Sequence, residues 1–445
     1  MLTSLTNLEF FGVLKFKYYS SLICIFSLSL FATPAEAWWN HFLFNRPALE
    51  AMPELVSAPK VKVESIEDFL IKEQDKLIPL MRDMEKEANL NYDKSAPLPE
   101  ALSFKGGDRK TIRNHFLRAL RLNTGTPLGY FLQHLPGHSP LGKKSDPMTV
   151  SIYGERDLKQ DYEFYDIRIG DLVSPLEVLA TAGDEPDFGL DLNLFEDNGE
   201  IFGKDYGFGI QSFGDPKVYY ATQVPFHIGY YHESPIIFAA AGFLTRTYPQ
   251  YRVYQFMTLS RYAFQTGHTY WGYRFLGWGM HYIADLTQPY HSRVLPNFGT
   301  ISMLWINLKA ILGFESAKND AIDRISNRHT TIEKYHFSTL RNAYRTKNLA
   351  HPFILSVKQT DLDNNFGNYD HTYIVDVVTR QSYDISDRID ALIDESNLLN
   401  GFSEGKLLPE INQKSLVDLD STITDHMKSV GSHIRNYVRA GLKYD

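Results

Sequence analysis

The segment Gly279-Met280-His281-Tyr282-Ile283-Ala284-Asp285-Leu286-Thr287-Gln288-Pro289-Tyr290-His291 gathers two imidazoles and a carboxylate into one short stretch, and these donor types suit divalent transition metals. On a helix, His281 and Asp285 stand one turn apart on the same face. Pro289 disfavours helical geometry at Gln288, so the chain should bend there and swing His291 to a second point beside the same site. One segment can thereby serve two metal positions. A second His-x3-acid pair, His329 and Glu333, follows downstream. With 15 His and 53 acidic residues in the chain, about two such pairs arise by chance. The weight therefore comes from the proline-linked third ligand and from the start of the mature chain.

Residues 1–37 read as a secretory leader. Lys15 and Lys17 precede an apolar run from Ser21 to Ala32, and Pro34-Ala35-Glu36-Ala37 supplies an A-x-A cleavage site. The run is too short to span a bilayer stably, and the bulky Ile23 before Cys24 argues against a lipoprotein. Cleavage after Ala37 predicts a secreted or periplasmic protein that begins Trp38-Trp39-Asn40-His41.

A mature N-terminal Trp, a His a few residues later, His-x3-Asp-x5-His with Gln-Pro inside, and a downstream His-x3-Glu together resemble the zinc-dependent phospholipase C and single-strand nuclease superfamily. Within it, the chain is most similar to the phosphatidylcholine-hydrolysing phospholipases C of Gram-negative bacteria. The resemblance covers roughly Trp38 to Asn45 and Gly183 to Tyr335. It implies about two to three zinc ions. It implies that the terminal amine and carbonyl of Trp38 bind one zinc together with His41, that Asp285 bridges two zincs with His281 on the second, and that His291, His329 and Glu333 hold the third.

Two further ligands are implied, an Asp in a loop and a His before the central helices. Ala182-Gly183-Asp184-Glu185-Pro186 resembles the loop, which points to Asp184 with Asp187 in reserve. For the His, Phe226-His227-Ile228 matches the local sequence while His232 matches the distance to the central motif, and both stay open. The implied activity is hydrolysis of the phosphodiester on the glycerol side of a phospholipid, phosphatidylcholine first, with Asp184 and Asp285 as the catalytic carboxylates. Diacylglycerol and a phosphorylated headgroup are the products.

The positioning elements can be read coarsely. Residues 38 to 57 give a short helical start, and residues 62 to 122 read mostly helical, with 3.6-residue periodicity over Glu64–Ile71 and Thr111–Leu117. Residues 123 to 230, rich in Gly, Pro, Asp and Tyr, read as long loops with a few short strands. Tyr251 to Leu286 is apolar but carries Arg261, Arg274, His281 and Asp285, which favours a buried helix pair over a membrane span. Gly277 and Gly279 beside the motif admit a close neighbour. Two further helices are expected at about Thr372–Leu399 and Ser421–Leu442. The expected fold is mainly α: a multi-helix zinc phospholipase C-like catalytic domain over 38–340 with an insertion at about 58–165, and a C-terminal helical region, 341–445, packed on the same domain. The stretch between the first helix and Asp184 is longer than compact family members need, so their substrate-facing loops cannot be carried over.

Composition sets limits. The net charge is -8, and loss of a leader with two Lys and two Glu leaves it unchanged while removing Cys24, the single cysteine. The mature chain must then fold in an oxidising compartment without a disulfide, where bound zinc contributes folding free energy. The acidic balance disfavours tracking a phosphate backbone, so a phospholipid at a membrane surface is the expected partner, with no nucleic acid and no stable protein partner. The 27 Tyr and 29 Phe could stack bases, line a choline cage or touch lipid, so a single-strand nuclease is the nearest alternative and a non-catalytic exported binding protein the third. Gly137–Lys144 imitates a phosphate loop but lacks the Ser/Thr after its Lys. Asp361–Gly367 imitates a calcium loop with its glycine one place late, and no Gly-x-Ser-x-Gly occurs.

Overall fold

The computed structural model describes residues 40–92, 96–139, 142–154 and 163–443, and the chain they form is mainly helical. Helix α1 (Phe42–Glu50) turns Phe42, Leu43, Phe44 and Leu49 inward, and a single turn, α2 (Pro53–Val56), follows. After strand β1 (Val61–Lys62), helix α3 (Ile66–Asn91) starts at Ser65, whose hydroxyl accepts from the Asp68 N–H at 3.0 Å. Glu67 and Asp68 then occupy the electropositive first turn. Helix α4 (Ile112–Ala119) completes this layer, with Phe69 and Phe116 both reaching Phe275 at ring distances of 6.0 and 6.1 Å.

The Gly- and Pro-rich middle contains short elements only. Strand β2 (Phe131–His134) pairs antiparallel with β3 (Glu163–Asp166), Phe131 opposite Asp166, and β4 (Leu172–Val173) pairs with β1. Around them lie the one-turn α5 (Pro147–Val150), the buried α6 (Pro175–Ala182), α7 (Ile201–Tyr206) and α8 (Val224–His227).

Helix α9 (Pro235–Ala240) precedes the centre of the molecule, α10 (Pro249–Gln265) packed along α11 (Thr269–Asp285). Among the described residues no helix is long and apolar enough to cross a membrane. The charges within this pair are matched inside the protein: Arg252 reaches Asp191, and Arg274 reaches Glu185. The two glycines of α11 mark where neighbours enter. A Cβ on Gly277 would stand 2.5 Å from Ala182 of α6, and one on Gly279 would stand 1.9 Å from the Tyr437 hydroxyl.

The remaining elements are α12 (Pro289–Ser292), α13 (Thr300–Ile311), α14 (Ser316–Arg345), α15 (Pro352–Val357), a π-helical turn (Ile374–Thr379) that runs into α16 (Arg380–Glu395), α17 (Leu398–Gly401), the hairpin β5 (Phe402–Ser403) and β6 (Lys406–Leu407), and α18 (Gln413–Leu442). Helix α18 begins two turns before the expected Ser421. Asn412 caps it, accepting from the Ser415 N–H at 3.4 Å, and Leu416 and Leu419 prolong its buried stripe upstream. One contiguous apolar core holds Phe42, Leu70, Phe116, Phe256, Leu276, Phe353, Leu392 and Val430, so the 66–119 helices and the C-terminal helices share it with the central pair. The Asp361–Gly367 loop is occupied by cations of the chain itself: Asp363 receives Arg435 at 2.7 Å and Arg439 at 2.6 Å.

Candidate metal centre

Helix α11 ends at Asp285, and Gln288 is extended (φ -76°, ψ 125°) before the turn that Pro289 opens. That bend brings His291 back beside Asp285, which is fully buried and faces different imidazoles with its two oxygens. Oδ2 lies 2.7 Å from His227 Nδ1 and 3.1 Å from His281 Nε2. Oδ1 lies 3.2 Å from His41 Nε2 and 3.8 Å from His291 Nδ1. Helix α14 contributes His329 and Glu333 one turn apart, 2.7 Å from each other, and His329 Nε2 is 3.1 Å from His291 Nε2.

Among the described residues, three groups, two of them sharing His281, have the donor atoms to hold a metal ion: His41, Asp187 and His281; His227, His281 and Asp285; and His291, His329 and Glu333. Ligand atoms about 2.1 Å from a tetrahedral ion stand about 3.4 Å apart, and the separations here, from 2.7 to 3.8 Å, bracket that value. Buried polar atoms are a second test of fit. Among the described residues, His41 Nδ1 and Nε2, His227 Nε2, Asp285 Oδ1 and His291 Nδ1 are buried without a hydrogen-bond partner. Each such group carries a desolvation cost of about 1–3 kcal/mol if nothing satisfies it, and a cation among them would satisfy several at once.

The surroundings fix the orientation of these ligands. His281 Nδ1 lies 2.8 Å from the Gly183 carbonyl, which can only accept, so Nδ1 keeps its proton and Nε2 is the nitrogen that faces the centre, where a cation would displace the proton that Asp285 and Asp187 otherwise hold on the ring. Glu333 accepts from the Gln288 amide at 2.9 Å, while Gln288 Oε1 accepts from the Tyr290 N–H and caps α12. Tyr290 stacks on His329 at 5.7 Å and donates to Asp390 at 2.8 Å. Behind His227 stands Asp191, 3.6 Å from Nε2, clamped by Arg252 and the Tyr282 hydroxyl. The loop after α6 is tied to α11 by Arg274, which donates to Glu185 at 2.8 and 2.9 Å and packs over Trp271, and by the Trp278 N–H.

Electrostatics divide the centre. Burial pushes His291 and His329 down to about 3, leaving both neutral, the form that ligates metal. Burial also works against a charged His281, but Asp285 and Asp187 prevail and hold it up at about 10. Burial alone would raise Asp285, yet His281 and His227 keep it well below the usual carboxylate range. Asp184 is pushed up to about 7, by burial first and by Asp187 second.

Of the residues singled out from the sequence, His41, His227, His281, Asp285, His291, His329 and Glu333 all stand in these groups. His232 does not. Its ring sits between Thr379, at 2.9 Å, and the Arg380 guanidinium, at 2.7 Å, so its local environment is a surface hydrogen-bond pair rather than the centre. Asp184 faces His41 Nδ1 at 3.6 Å and accepts from the Phe42 N–H at 3.2 Å, while Asp187 is the loop carboxylate that belongs to a group. Trp38 lies outside the described residues. Reading the sequence missed Asp191, Glu185, Arg252 and Gln288; the signal available was the presence of Arg252 and Arg274 in an apolar helix pair, since a buried guanidinium demands a buried partner. His227→Ala should therefore weaken metal retention by at least about tenfold, whereas His232→Ala should leave metal content unchanged by elemental analysis.

Comparison with family models, with curated proteins and with solved structures yields no match to this chain.

Proposed function

We propose that this chain is an exported zinc-dependent phospholipase C that hydrolyses phosphatidylcholine to diacylglycerol and the phosphorylated headgroup. The observation that carries this reading is the convergence of His41, His227, His281 and His291 on the two oxygens of buried Asp285, beside a separate His291, His329 and Glu333 group. With at most three protein ligands per group, and with His281 shared by two groups but able to serve only one ion through Nε2, coordination positions stay open, as in catalytic rather than structural zinc sites. Zinc bound there supplies Lewis-acid polarisation of a phosphoryl oxygen and an acidified water.

The chain's own residues do the rest. Asp285 holds the groups together through its two oxygens. Asp187 is the candidate proton acceptor, because its side chain is 23 % exposed against 2 % for Asp184, and the Gln223 amide steadies it at 3.2 Å. Asp184 braces His41 and the start of α1 from the buried side. A phospholipid is favoured over single-stranded nucleic acid because the net charge is -8 and because the wall beyond His329 is apolar, with Ile322, Ile325 and Met303. A secretory leader in residues 1–37, as the sequence pattern is read, would direct the protein to the periplasm or outside the cell.

Initial rates on phosphatidylcholine, phosphatidylglycerol and single-stranded DNA test this directly. Phosphatidylcholine should be cleaved much faster than DNA, with diacylglycerol as a product. Faster cleavage of DNA would transfer the assignment to a nuclease.

A further inference from the structure

Helix α13 is apolar on two faces. Its buried Met303 joins Ile237 and Leu244 in a small core separate from the main one, with Leu304 packed against it. The opposite stripe, Ile301, Trp305, Leu308 and Leu312, follows the i, i+4, i+7, i+11 spacing of one helix face and stands in solvent, Ile301 at 84 % and Trp305 at 56 % exposure. Ile236 of α9 and Phe314 are exposed as well. A helix apolar all round is ordinarily buried, and an exposed patch of this kind marks a binding surface.

Beneath α13 lies an apolar cavity of about 190 Å³, larger than the ~150 Å³ engineered cavity that stays dry and admits benzene. Its wall runs from Ala240 and Leu244 through Met303 to His329. His329 Nε2 is in turn 2.7 Å from Glu333. The exposed helix and the candidate metal centre are walls of the same cavity.

Charge narrows the choice of occupant. In a chain of net charge -8, Asp285 is the only acidic residue between Glu233 and Glu315, and it is buried, whereas Arg246 and Lys309 lie in the same stretch and Arg293 there is already paired with Asp387. The Lys309 ammonium stands 5.6 Å over the Trp305 ring. An apolar stripe with Trp and Lys and without acid suits the phosphate-bearing interface of a bilayer, where Trp sits at headgroup level and an amphipathic helix buries one face.

We infer that α9 and α13 form a docking face for a phospholipid bilayer, with Ile301, Trp305 and Leu308 entering the headgroup–acyl boundary and the cavity leading the apolar part of a lipid to the His329 side of the centre. This rests on the phospholipase reading above. The test compares the zinc-loaded full chain with the Trp305→Asp/Leu308→Asp variant in sedimentation with phosphatidylcholine vesicles. The variant should lose vesicle binding by at least about tenfold and lose vesicle hydrolysis with it. It should keep its rate on p-nitrophenylphosphocholine, a soluble phosphodiester without acyl chains, within about twofold. Equal vesicle binding by both proteins overturns the docking face. So does a dimer that the variant dissociates while vesicle binding stays equal, because the stripe then belongs to a second copy of the chain. If neither protein hydrolyses either substrate but only the parent binds vesicles, the phospholipase reading fails and the docking face stands.

Discussion

Asp285→Asn should reduce turnover by on the order of 10³ or more, the scale on which removal of a central catalytic group acts. The substitution keeps the size of the side chain and removes its charge. In the native arrangement Oδ2 meets His227 and His281 while Oδ1 meets His41 and His291, so a single neutral amide would have to replace a carboxylate shared by four imidazoles. One end of that amide is a donor, which points hydrogen at ring nitrogens that should be aimed at a cation. Far-ultraviolet circular dichroism should remain native, because the helices around Asp285 are held by the apolar core. A variant with an intact spectrum and less than about a tenfold loss of rate would mean that Asp285 is a structural residue.

Arg252→Ala should cost about 3–5 kcal/mol of stability, since removing one partner of a fully buried ion pair strands the other. The Arg252 guanidinium is completely buried and donates to Asp191 at 2.8 Å, to the Leu120 carbonyl at 2.8 Å and to the Arg121 carbonyl at 2.9 Å. Its loss leaves Asp191 without its cation behind His227. A lower denaturant midpoint together with weaker metal retention is the expected result. Arg109, whose pairing with Asp68 is exposed, provides the contrast: Arg109→Ala should leave the midpoint essentially unchanged. Equal midpoints for the two variants would refute the role given to the buried clamp.

These two arginines show what is legible in a sequence and what is not. The helix pair around residues 251–286, the one-turn relation of His281 to Asp285 and the bend before Pro289 follow from periodicity and from proline's steric rules, which act over a few residues. The partner of Arg252 does not follow, because Asp191 lies in a loop 61 residues away whose path only the packed structure defines. The same limit explains His227 and His232. Both are close to the central helices in sequence, but α8 ends at His227 and directs it to Asp285, whereas His232 lies beyond the turn and meets Thr379. Asp184 and Asp187 lie at the start of and within the tight turn Glu185–Phe188 after α6, and the path of that turn buries the first and leaves the second partly exposed. Sequence spacing cannot resolve that path. The extra turns at the start of α18 depend on an Asn412 cap and on Leu416 and Leu419 reaching the shared core, a tertiary gain that adds to a weak local signal.

If the proposed groups around Asp285 and His329 hold catalytic zinc, elemental analysis of an active preparation, made alongside its rate on phosphatidylcholine before and after chelation, will register it. About two to three zinc ions per chain are predicted, with activity abolished by the chelator and restored when zinc is returned. Full activity in a preparation with clearly fewer than about one zinc per chain, unaffected by the chelator, would contradict it.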